Sequence, residues 1–140
     1  MITKNIFNSG RLVTGCFSGI VTMPEIEAYF YWLVDNHGGS ISDDFSQLIY
    51  SSELEKVDIQ TADIHRISHL NATVGRQRGG FNLALVVPDL KYYWMAKLYK
   101  TLSRSADINT RIFRDIDEAF NWLGFDKPDR FDDQFSSEKP

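Results

Sequence analysis

The run Phe81-Asn82-Leu83-Ala84-Leu85-Val86-Val87 constrains this chain more than any other segment. A strand with one wet face alternates apolar and polar residues; here apolar side chains occupy both phases. Such a strand is buried on both faces and needs helices above and below it, the situation of a parallel sheet. Pro88-Asp89 follows at once and opens a segment of helical periodicity expected to run to about Ser105.

Helices and strands then alternate along the chain. Thr3 to Asn8 and Arg11 to Phe17 read as strands joined by a hairpin turn at Asn8-Ser9-Gly10. Thr22-Met23-Pro24-Glu25 is a helix start, with Thr22 as N-cap and Glu25 completing a capping box, and Gly38-Gly39 ends that helix near Asn36. Phe45 to Tyr50 reads as a short strand and residues 51–60 as a polar connection. A second helix is expected from Thr61 to about Gly75, and a last strand from Ile108 to Phe113. Asp115 and Glu118 form a second capping box for a final helix, with Ile116, Ala119, Phe120 and Leu123 at helical spacing and Gly124 as its stop. The order β-β-α-β-α-β-α-β-α predicts an α/β domain over residues 1–124. It would hold a four- or five-stranded, mainly parallel sheet, with the hairpin adding one antiparallel strand. Residues 125–140 are polar and acidic and read as a loosely ordered tail.

Composition narrows the function classes. The 140 residues are enough for one hydrophobic core. A net charge of -4 argues against nonspecific nucleic-acid binding. The single cysteine, Cys16, cannot form an internal disulfide, which suits a reducing compartment. No apolar run approaches the ~20 residues that span a bilayer, and the first residues lack a signal-peptide core. A cytoplasmic protein, at most peripheral to the membrane, is the expectation.

Candidate sites are aromatic rather than catalytic. On a helical wheel the third helix carries Leu90, Tyr92, Trp94, Met95, Leu98, Tyr99, Thr101 and Leu102 over a wide arc, broader than a sheet covers. Tyr92 and Tyr99 fall on its edge beside Lys97, Lys100 and Arg104, a combination suited to a membrane surface or a protein interface. The plain alternative is a buried helix whose tyrosine hydroxyls stay wet. In the first helix Ile26, Tyr29, Phe30, Leu33 and Val34 form the core stripe, leaving Tyr31 and Trp32 to be covered by a ligand, a partner subunit or Phe131 and Phe135 of the tail. Arg76 and Arg78 sit in the glycine-rich segment 75–80, expected as a loop that either contacts an anionic headgroup or only solubilises a helix end. His65 and His69 lie one helical turn apart, but a metal site needs a third ligand that the spacing does not supply. Surface histidines are the expectation, with no cofactor and no metal. No nucleophile-base pair is discernible, so an enzyme is not expected.

The segments Gly19-Ile20-Val21-Thr22-Met23-Pro24-Glu25, Val86-Val87-Pro88-Asp89-Leu90 and Phe113-Arg114-Asp115 to Trp122-Leu123, in this order, resemble the SpoIIAA-like family, which has a STAS-like fold. That family is in turn similar in its core to lipid-binding CRAL-TRIO (Sec14-like) domains. The resemblance implies a noncatalytic module for an apolar or amphipathic ligand or a membrane surface. Alternatively it implies a protein-interaction module like the anti-sigma-factor antagonists, whose phosphorylated serine lies in an Asp-Ser-(Ser/Thr)-Gly motif. Here that stretch reads Asp58-Ile59-Gln60-Thr61-Ala62-Asp63, leaving Thr61 as the candidate phosphosite and, more plainly, a helix N-cap. A homodimer would bury the same aromatic faces.

Overall fold

The computed structural model describes residues 1–78, 81–102, 108–128 and 131, with the side chains of residues 52, 71, 73–78 and 102 outside that description. The strands are β1 (Ile2–Phe7), β2 (Leu12–Thr22), β3 (Ser46–Asp58), β4 (Phe81–Val86) and β5 (Ile108–Phe113). The helices are α1 (Met23–Asn36), α2 (Thr61–Arg78), α3 (Tyr93–Leu102) and α4 (Ile116–Leu123). One five-stranded sheet in the order β1-β2-β3-β4-β5 results. β1 pairs antiparallel with β2, and the remaining strands run parallel.

The expected α/β architecture and element order are found, and several of the local devices behind them are visible. Thr22 donates its backbone N–H and its hydroxyl to the Glu25 carboxylate, both at 3.3 Å. Asp115 accepts from the Glu118 N–H at 3.3 Å. Gly124 takes the left-handed conformation that closes α4, while Phe125 N–H bonds Phe120 O at 3.1 Å. In β4 the two phases separate as the sequence required. Phe81, Leu83 and Leu85 join a core under α1, α2 and α3. Ala84 and Val86 join a second core on the opposite face, under α4.

Several boundaries differ from the sequence reading. Residues 51–58 are not a polar connection: β3 is thirteen residues long and ends at Asp58. Beyond the reach of β4, β3 stays paired with the second half of β2, from Ser18↔Glu53 to Thr22↔Asp58. Two register shifts interrupt this pairing. An extra residue at a bulge reverses the facing of the residues beyond it, so Leu54 and Val57 share a face although they are three apart. The two-residue alternation is therefore lost, and the segment looks like a loop.

α2 continues past Gly75 to Arg78, so Arg76 and Arg78 have helical backbone rather than lying in a loop; their side chains fall outside the description. Thr61 is the first helical residue, not the cap: Asp63 reaches back to accept the Gln60 N–H at 2.9 Å. Nor is the segment after Asp126 wholly loose, because Phe131 is buried in the second core, 5.3 Å from the Phe120 ring and 5.8 Å from Tyr50. It thus cannot cover Tyr31 and Trp32, which belong to the other face; Phe135 lies outside the described residues.

The hairpin turn is held by three consecutive left-handed residues, Asn8, Ser9 and Gly10. At Gly10 (φ +87) a Cβ would stand 2.4 Å from the Ser40 carbonyl oxygen. Gly10→Ala is expected to destabilise the chain by roughly 2 kcal/mol or more, from backbone strain plus the clash. Urea unfolding followed by circular dichroism reads this as a lower midpoint.

Candidate functional site

Between the sheet and helices α1, α2 and α3 lies a cavity of about 140 Å³. Its floor is the helix-facing side of three strands: Phe17 from β2, Gln47, Ile49 and Ser51 from β3, Leu83 and Leu85 from β4. One wall is Leu54 and Val57 of the β3 extension. Tyr29 and Phe30 of α1, Ile64 and Ile67 of α2, and Met95, Ala96 and Tyr99 of α3 line the remaining sides, with Tyr92 just before α3.

The inward face of the third helix is Tyr92, Met95, Ala96 and Tyr99, at the i, i+3, i+4, i+7 spacing of a core stripe. Tyr92 and Tyr99, expected at the outer edge, are buried at 9% and 8% exposure. The whole stripe is rotated relative to the sequence expectation. Leu90 and Trp94, toward the other side of the apolar arc, are the exposed ones, at 62% and 55%. A 3₁₀ turn at Leu90–Tyr92 precedes α3. The small side chain of Ala96 within this inward stripe leaves room for the cavity.

The polar groups of the cavity lining are few and mostly paired. The Tyr92 hydroxyl donates to Glu55 O at 2.5 Å, and Ser51 Oγ donates to Val86 O at 3.1 Å. Gln47 is fully buried on β3, between Val13 of β2 and Leu83 of β4, and its Nε2 donates to the Tyr29 hydroxyl oxygen at 2.8 Å. Its Oε1 has no hydrogen-bond partner among the described residues. Buried polar groups in folded proteins are nearly always paired, so this one needs an explanation. The Tyr29 ring lies against Gly15, where a Cβ would stand 3.1 Å from both the ring and Ile49. Glycine at this point of β2 therefore seats the tyrosine over the sheet. Burial pushes the Tyr29 hydroxyl well above the ordinary 10.0; the Gln47 hydrogen bond opposes the shift, and charge interactions with Cys16 and Tyr99 add to it.

Of the candidate site residues whose side chains are described, Tyr92 and Tyr99 meet at this cavity, beside Tyr29 and Phe30 of the expected α1 core stripe. Trp32 is half-buried, stacked 6.0 Å from the Tyr29 ring with the Lys4 Nζ 5.8 Å from its own ring, so β1 and α1 cover it without the tail. Tyr31 is exposed at 54% and Lys100 is half-buried; neither lines the cavity. Thr61, His65 and His69 are exposed, and no group of three metal-ligating side chains occurs among the described residues. Gln47 escaped the sequence reading. Its signal was a polar residue in the middle of an apolar strand, in phase with Ile49.

The Tyr29 shift fixes the sign of one pH effect. The folded chain holds the hydroxyl protonated while the unfolded chain releases the proton near pH 10. The stabilisation is complete below that pH and is lost as pH rises above it. Chemical denaturation between pH 9 and 11 should show stability falling more steeply in the native chain than in Tyr29→Phe, by up to ~1.4 kcal/mol per pH unit.

Comparison with known proteins supports this architecture. No protein-family model matches the sequence, and no curated protein sequence matches it. Among solved structures, the chain is similar to an uncharacterized protein of the DUF3478 family from Shewanella loihica PV-4, described as having a SpoIIAA-like fold. The TM-score is 0.57 at 16% identity, covering 87% of this chain and 93% of that one. Five strands and four helices in this order are a SpoIIAA-like fold.

Proposed function

We propose that this chain is a noncatalytic binding module that encloses a small apolar or amphipathic molecule beneath α1, α2 and α3. The observation that carries the reading is the cavity itself. Volume of about 140 Å³ left unfilled by side chains forgoes roughly 3 kcal/mol of packing, at about 24 cal/mol per Å³. Against a total stability of about 5–15 kcal/mol that is a large sacrifice for slack packing. An engineered apolar cavity of about 150 Å³ holds benzene, so the size suits a ligand built on one ring or a short alkyl chain. A SpoIIAA-like fold is compatible with a STAS-type regulatory or binding role, and the cavity favours the binding side of that pair.

The outer face of the third helix supports loading from a bilayer surface. Leu90 and Trp94 are exposed, and the exposed Lys91 and Lys97 flank them. Apolar and aromatic side chains among lysines suit the headgroup boundary. No helix among the described residues is long and apolar enough to cross a membrane, so the contact would be peripheral.

Two measurements test the reading. Native mass spectrometry of freshly purified protein, followed by organic extraction, is expected to show a retained small molecule. Ala96→Leu should fill the cavity, raise the melting temperature by about 3–6 °C and abolish that retention. A native chain that retains nothing, and whose cavity-lining methyl signals do not move under benzene, would sink the proposal.

A further inference from the structure

We propose that the ligand of this cavity carries one uncharged hydrogen-bond donor, a hydroxyl or N–H, which Gln47 Oε1 accepts, on an apolar body about the size of a single aromatic ring. The inference rests on the binding reading above and names the chemical class that the site selects.

Three observations converge on it. First, three polar groups at the cavity are paired inside the protein: Ser51 with Val86 O, Tyr92 with Glu55 O, and Gln47 Nε2 with the Tyr29 hydroxyl oxygen. Gln47 Oε1 is left over, on a side chain with 0% exposure that lines the cavity. An acceptor in that position is satisfied by a donor and by nothing else, and leaving it unpaired is costly. Second, no Asp, Glu, Lys, Arg or His side chain lines the cavity among the described residues. A carboxylate or ammonium ligand would enter without a counter-charge, which an apolar enclosure strongly disfavours. The raised Tyr29 hydroxyl points the same way, since burial there already opposes an oxyanion. Third, Gln47 is held in place from both sides of the strand. Val13 and Leu83 flank it in register, and Tyr29, seated over Gly15, fixes its Nε2. The carboxamide is a preorganised acceptor, and a mismatched ligand gains nothing from it.

The experiment uses four probes of similar size on the full chain at pH 7: toluene (neither donor nor acceptor), anisole (acceptor only), phenol (donor) and benzoate (anion). Binding is followed by NMR titration or calorimetry in the native protein, in Gln47→Leu, and in the double variant Tyr29→Phe with Gln47→Leu. The double variant replaces both hydrogen-bonding partners by apolar groups of similar shape and so keeps the fold if the single one does not. Expected are phenol binding that falls at least tenfold in either variant, toluene binding that changes less than threefold, and no measurable benzoate. Toluene bound without phenol, phenol indifferent to Gln47, anisole matching phenol in its dependence on Gln47, or benzoate bound as tightly as phenol would each overturn the donor assignment while leaving the cavity reading in place. Failure of toluene and phenol alike would overturn the cavity reading and this inference with it.

Discussion

Strands β2, β3, β4 and β5 lie side by side in chain order, all parallel, so each crossover steps the same way across the sheet. Right-handed crossovers stepping in one direction put every connecting helix on the same face. α1, α2 and α3 therefore share one core, and the opposite face is left to α4 with Phe125 and Phe131. A sheet buried on both faces has no freedom to leave either bare, which is why the chain past α4 returns to the sheet at Phe131.

This asymmetry sets up the cavity. Three helices on a twisted five-stranded sheet must also cover the β2–β3 ribbon that runs beyond β4. Leu54 and Val57 of that ribbon close one side, and α2 and α3 close the others. Residues of opposite size meet there: Tyr29 takes the space that Gly15 leaves over β2, while Ala96 gives up space within the face of α3. Gln47 sits in the middle of a mostly apolar lining, on the central strand of the sheet.

Local signals in the sequence were reliable where the physics is local. The capping box at Thr22, the N-cap at Asp115, the glycine at Gly124 and the two-phase apolar run of β4 depend on neighbours within a few residues, and each is realised. Errors came where a distant partner decides. Strand pairing with β2 makes residues 51–58 extended, and bulges in that pairing hide the apolar phase. The facing of α3 depends on which arc of its wide apolar surface meets the sheet, and that arc holds Tyr92 and Tyr99 and leaves Leu90 and Trp94 outward. A helical wheel orders side chains around an axis but does not say which arc meets the sheet when apolar residues cover more than half the circumference.

The sequence by itself determined the α/β class, the element order, the ends of most helices and the burial of β4, because periodicity and caps encode these within short windows. Only the tertiary structure decided which aromatic residues enclose space, where the tail residue Phe131 returns, and that Gln47 is an unpaired acceptor at a cavity wall. Whether a polar group is satisfied depends on atoms supplied by other strands and helices, and no sequence window spans β2, α1, β3, β4 and α3 together.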